Sequence, residues 1–221
     1  MIEASFEYNH PNDVWLEPIR QKNIHLAEGL KLIHSAIFLA DDIADRQIMP
    51  EMTSHILWQT MLGMAQLIIS GDFLPFLLIF QRVHESELSN LTFVPKQLSI
   101  EEELERWKTR SVLLDVYFEG LKRIDGDIDT KQNREWFERF KEFTLIHDDC
   151  MDILDGVYED LNLCRRNYVV LKRFGLDGYF EWKNKVPELI SAAQEIKQSL
   201  VLDEPADARL KIFTFGRKDN A

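Results

Sequence analysis

Residues 33–46 read IHSAIFLADDIADR, an apolar helical run that ends in three aspartates, Asp41, Asp42 and Asp45. The same triplet returns 107 residues later as Asp148, Asp149 and Asp152, inside TLIHDDCMDILD at residues 144–155. With 18 aspartates in 221 residues, a DDxxD pattern is expected on the order of 0.1 times by chance. On a helix, positions i and i+4 lie one above the other, so Asp41 with Asp45, and Asp148 with Asp152, each set two carboxylates on one face. Asp42 and Asp149 lie beside them. Like charges at that spacing destabilise a helix, and a bound cation reverses the sign of the interaction. Oxygen-only ligands in this pattern suit Mg²⁺, which keeps waters and bridges to substrate phosphates. The apolar flanks set both clusters apart from an ordinary solvated acidic face and make them look like the rim of a cavity.

Outward from the clusters, period-3.6 patterning dominates and no segment alternates with period two. It predicts helices over residues 24–46, 52–70, 72–88, 99–124, 131–155, 161–174, 187–202 and 205–213. Ser99 followed by Glu102 is a capping box, Pro50 stops the first helix, and DGDIDT at residues 125–130 is a turn. Nine glycines and seven prolines are few turn signals for 221 residues, and 29% of the chain is charged. These features predict one all-α domain spanning residues 1–221.

The net charge of −12 disfavours nucleic acid or an anionic membrane as partner and suits a chain that gathers cations. Two cysteines, Cys150 and Cys164, suggest neither a zinc site nor a disulfide framework, so a reducing compartment is expected. The start, MIEASFEYNHPND, has no basic and apolar leader pattern. Met61 to Phe80, the longest apolar stretch, is broken by Gln66, Asp72 and Pro75 and reads as a buried helix pair with no membrane span. A cytoplasmic location follows as the expectation.

The ordered set IHSAIFLADDIAD, ISGDFL (residues 69–74), SIEEELERWKTRSVLL (residues 99–114) and TLIHDDCMDILD resembles the trans-isoprenyl diphosphate synthases, the polyprenyl synthetase family, over about residues 24–174. The resemblance implies an isoprenoid-synthase helical bundle around a central apolar cavity, with Mg²⁺ held by Asp41, Asp42, Asp45, Asp148, Asp149 and Asp152 against an allylic prenyl diphosphate. It further implies that Lys108, with Thr109, contacts the diphosphate, and that Ala36 and Ile37 floor the pocket for the prenyl chain. Arg165 and Arg166 are cationic candidates for the same anion, as are Arg46, Arg110 and Lys172. The family commonly pairs as dimers, so a homodimer belongs to the same set of expectations.

Departures from the family pattern are equally specific. No arginine pair follows the first motif, where Pro50, Glu51 and Met52 stand, and no Gly-Gly-Lys-Arg segment precedes it. Thr144 and Leu145 replace the usual Phe-Gln. The allylic half of the expected site is therefore present and the half that would hold isopentenyl diphosphate is not. The expected activity is transfer of an ionised prenyl group to another acceptor. A class I terpene cyclase, or an accessory subunit of a two-component polyprenyl synthase, are the alternatives.

Overall fold

The computed structural model describes residues 13–44, 52–95 and 98–215. Its elements are α1 (Asp13–Lys22), α2 (Ile24–Ala44), α3 (Thr53–Ser70), α4 (Phe73–Leu91), α5 (Ile100–Lys108), α6 (Asp115–Ile124), α7 (Lys131–Leu154), α8 (Glu159–Asn162), α9 (Tyr168–Arg173), α10 (Gly178–Glu181), α11 (Val186–Ser199) and α12 (Ile212–Phe215). Short 3-10 stretches join several of them, and no strand occurs among the described residues. The chain is all-α. It divides into two compact units, one of Met1–Leu77, Val116–Asn133 and Glu204–Ala221, the other of Leu78–Asp115 and Arg134–Asp203.

In the first unit α2 packs along α3, and two glycines set how closely. A Cβ at Gly63 would fall 2.6 Å from Ile33 Cγ1 and 3.0 Å from the Gly29 carbonyl, and one at Gly29 would fall 2.8 Å from Leu67 Cδ2. Asn23 opens α2 by accepting the Leu26 N–H at 3.0 Å, one of the orphan donors of a helix start. Gly71, at φ +80°, ends α3 with N–H bonds from Gly71 and Asp72 back to Ile68 and Leu67, the left-handed closure that glycine takes without penalty. Trp15 meets Tyr117 and Phe213 edge-on at 5.0 and 5.2 Å.

The second unit buries Phe93, Trp107, Ile146, Cys150, Ile153, Val169, Tyr179, Trp182 and Leu189 in one cluster. The capping box at the start of α5 is present. The Ser99 side chain accepts the Glu102 N–H, and Glu102 accepts the Ser99 N–H at 2.9 Å.

Five expectations are corrected. In place of the helix predicted over 205–213 stand a 3-10 turn, Ala208–Lys211, capped by the Asp207 side chain, and the short α12. The helix predicted over 99–124 is interrupted by a 3-10 stretch, Thr109–Leu114. Thr109 and Ser111 bond back to the Arg106 and Lys108 carbonyls there, at 2.7 and 2.8 Å, and hydroxyls that compete for backbone carbonyls bend helices. The helix predicted over 161–174 splits into α8 and α9 because Asn167 caps α9 and Cys164 takes a φ of +55°. Helix α1, with Pro18 inside it, falls outside the predicted set. Finally, the Met61–Phe80 run is not a buried pair: Met61, Leu62, Ile68, Ile69, Leu74, Leu77 and Leu78 are exposed. No helix among the described residues is long and apolar enough to cross a membrane.

Candidate functional site

Helix α7 carries the second acidic triplet, and its packing stripe separates the three aspartates. Ile146, Cys150 and Ile153 face the core of the second unit, spaced at four and three residues. Asp149 falls on that stripe, three residues from one member and four from another. It is 2% exposed. Asp148 and Asp152 are one turn apart on the side that reaches solvent, and both are exposed.

Buried Asp149 is saturated by protein donors. Its Oδ2 accepts the Trp107 indole N–H at 2.8 Å and the Tyr168 backbone N–H at 2.5 Å. Its Oδ1 accepts from Arg110 Nη1 at 3.2 Å. Arg110 also donates to the Arg166 carbonyl at 2.7 Å and pairs with Asp160 at 3.0 Å. Burial pushes the Asp149 carboxyl up, to about 7, against the pull of Arg110 and of the Tyr168 and Trp107 N–H groups. These bonds hold α7 to the starts of the 3-10 stretch and of α9.

Asp152 has no such partners. Desolvation, with repulsion from Asp148, Asp160 and Asp155, pushes its carboxyl up to about 6, Arg110 opposing. Its side chain still reaches solvent, so repulsion is the part of that shift which a cation relieves. Among the described residues no three His, Cys, Asp or Glu side chains converge as a ready metal cage. Asp148 and Asp152 supply two carboxylates, and Mg²⁺ is ordinarily bound through one or two, with waters and phosphates completing the shell. The pair fits that requirement and Asp149 does not.

Lys108 pairs with Glu105 at 3.2 Å and with Glu142 at 3.6 Å. Burial would lower its ammonium, but these two carboxylates outweigh it and raise the group above its ordinary value. The Thr109 hydroxyl sits 3.0 Å from the Ser86 hydroxyl. Both residues line a cavity of about 650 Å³ with Arg82, Arg106, Lys141 and Glu142. The lining residues carry both signs of charge. Glu142 precedes Asp148 by six residues, about 9 Å along the axis of α7.

Other predicted residues are placed as follows. Arg166, 2% exposed, pairs with Glu103 at 2.7 Å, donates to the Ser89 carbonyl at 2.7 Å and lies over the Phe93 ring. Arg165 is also buried, 3.9 Å from Asp160. Asp41 is exposed near the end of α2, Ala36 is buried and Ile37 half-buried in the first unit. His34, seven residues before the first motif, is buried and hydrogen-bonded to the Tyr117 hydroxyl. The Asp42 side chain, Asp45 and Arg46 lie outside the described residues.

Trp107, Arg110, Asp160 and the Tyr168 N–H are what the sequence reading missed or undervalued. Arg110 stands only two residues after Lys108, but its partners are 39 and 50 residues away, beyond any periodic signal. The stripe through Ile146, Cys150 and Ile153 was the available sign that Asp149 differs from its neighbours. No family model matches this chain, and no match was found among curated proteins or solved structures.

Proposed function

We propose that the chain is a Mg²⁺-dependent prenyltransferase that ionises an allylic prenyl diphosphate and transfers the prenyl group. The observation that carries this reading is the exposed Asp148–Asp152 pair on one face of α7, where desolvation first, and repulsion from Asp148 second, raise Asp152. In this reading Asp148 and Asp152 hold Mg²⁺, and Asp41, Asp42 and Asp45 form a second carboxylate triplet for the same kind of ion. Bound Mg²⁺ supplies charge neutralisation for a departing diphosphate. Asp149 acts as a positioning residue. Through Arg110 and Trp107 it fixes the rotation of α7 and thereby the direction in which Asp148 and Asp152 point. Lys108 and Thr109, which line the cavity, are the proposed contacts for the diphosphate, and Lys108 would exchange Glu142 for a phosphate oxygen. Arg166 and Arg165, spent on internal ion pairs, are left out of the proposed contacts.

A purely structural role for the second motif is the rival, and the saturation of Asp149 favours it for that residue alone. The two readings part in one experiment. Purified protein is incubated with farnesyl or geranylgeranyl diphosphate and Mg²⁺, with and without isopentenyl diphosphate, and the products are analysed. Mg²⁺-dependent release of pyrophosphate, reduced on the order of 100-fold in Asp148→Asn and Asp152→Asn, is expected. A released hydrocarbon would move the reading to a cyclase. Lack of any turnover, and of any thermal stabilisation by Mg²⁺ with prenyl diphosphate, would overturn it.

A further inference from the structure

Helices α7, α9 and α11 of the second unit border a further cavity, of about 420 Å³, a volume within the range of small-molecule sites. Its lining divides by chemistry. Ile146 and Ile196, both buried, and Leu200 and Val201 supply apolar surface. Tyr168, Lys172 and Arg173 bring a phenol and two cations from α9.

Two of these polar groups are uncommitted. Among the described residues neither the Tyr168 hydroxyl nor the Lys172 ammonium has a hydrogen-bond or ion-pair partner, whereas Arg173 pairs with Glu195 at 2.8 Å. Desolvation, with repulsion from Glu142 and Cys150, raises the Tyr168 hydroxyl above its ordinary value against the pull of Lys108 and Arg173. At neutral pH that hydroxyl is therefore a proton donor.

We propose that this cavity binds a small apolar carboxylate, its head bonded to Tyr168 and Lys172 and its hydrocarbon body laid on Ile146, Ile196, Leu200 and Val201. The inference rests on this cavity alone and is independent of the enzymatic reading.

Three observations select that ligand. No Asp or Glu is among the lining residues, so the cavity has nothing to hold Mg²⁺, and a multiply charged diphosphate would meet one uncommitted cation. A carboxylate carries the single charge that Lys172 balances, and its second oxygen accepts from the phenol. Bonds of this charge-assisted kind are about twice as strong as neutral ones. Third, Val201 is 79% exposed, and a hydrocarbon body that covers it removes apolar surface from water. A wholly apolar ligand fits less well, because it would desolvate the ammonium and the hydroxyl without giving either a partner. The site also touches the anchor of the acidic helix. Tyr168 gives its backbone N–H to Asp149 at 2.5 Å, and its ring lies 4.9 Å from that of Trp107. A ligand held by Tyr168 should therefore raise the melting temperature of the chain.

Isothermal titration calorimetry of the full chain with octanoate, and with octanol as the uncharged match, tests the proposal. Octanoate is expected to bind with a Kd on the order of 100 μM, and octanol at least about tenfold more weakly. Lys172→Ala should weaken octanoate about tenfold, and so should Tyr168→Phe, which keeps the ring beside Trp107. Val201→Asp, which sets a carboxylate beside the hydrocarbon body, should weaken it by a similar factor. The Lys172 and Val201 side chains are exposed, so those two variants should keep the wild-type helical signal in far-UV circular dichroism. Absence of binding up to about 5 mM, equal affinity for octanol, or unchanged affinity in either Lys172→Ala or Tyr168→Phe would overturn the assignment. Tighter binding of octyl phosphate than of octanoate would overturn it in favour of a phosphate head.

Discussion

The indole N–H of Trp107 donates to Asp149 Oδ2 at 2.8 Å across 42 residues of sequence. That bond, with those from Arg110 and Tyr168, makes one aspartate of the DDxxD triplet a structural anchor beside two that face solvent. Asp149→Ala leaves Arg110 short of a counter-charge and three donors without their acceptor, a loss of about 3–5 kcal/mol. Asp152→Asn removes repulsion from the neighbouring carboxylates and should be neutral or stabilising at pH 7. Urea denaturation of the two variants, without metal, checks this. Equal losses at both positions would refute the division.

Protonation links both Asp152 and Asp149 to stability in the same direction. The folded-state carboxyl of Asp152 lies at about 6 against an ordinary 3.8, so between these values the folded chain holds a proton that the unfolded chain has released. Its contribution to stability is complete below the lower value and is lost as pH rises through the upper one. Asp149, raised to about 7, acts in the same direction over a window reaching higher. Thermal melts of wild type and Asp152→Asn from pH 4 to 7 should show a shallower decline in the variant. An identical slope in both would count against the shift at Asp152.

Lys108 separates stability from binding. Its two ion pairs are made by a side chain that is still 43% exposed, and such pairs contribute only about 0–1 kcal/mol. Lys108→Ala should therefore melt close to wild type and yet raise KM for a prenyl diphosphate about tenfold or more, as loss of a charged phosphate contact does. An unchanged KM would remove Lys108 from the proposed contacts.

The close approach of α2 and α3 gives a prediction about packing alone. Gly63→Ala places a methyl against Ile33 and the Gly29 backbone and should cost about 1–3 kcal/mol. Gly126→Ala, where nothing lies within 4 Å, should stay within about 0.5 kcal/mol. Chemical denaturation of both decides it.

The start of α5 was readable because one pair of side chains, Ser99 with Glu102, decides it locally. What escaped the reading depends on distant partners. Thr109–Leu114 has ordinary helical composition, and its tightening goes with hydroxyl back-bonds and with Arg110 turned to Asp149 and Asp160. Helix α1 hides its amphipathic Trp15, Leu16 and Ile19 behind Pro18. Within the site, the DDxxD letters gave the pairing of Asp148 with Asp152 from helical geometry alone. They treated Asp149 as a third equivalent because an acidic residue on a packing stripe is legible only once its buried donors are known. The apolar run on α3 was misjudged for the opposite reason: hydrophobic composition predicts burial, and here no part of the described chain covers that face.

The two thiols of this chain differ in a way that makes them a clock. Cys150 is completely buried beside Asp149, and burial pushes its thiol up to about 12. Burial raises the Cys164 thiol as well, but that residue is only half-buried. Thiolate, the reactive form, is scarce at Cys150 while the second unit stays closed. A pulse of alkylating reagent therefore marks Cys164 quickly and Cys150 at the rate at which the core of that unit opens. The native sequence already holds both the fast reference and the slow hand, so breathing of the helix that bears Asp148 and Asp152 can be timed without introducing a label.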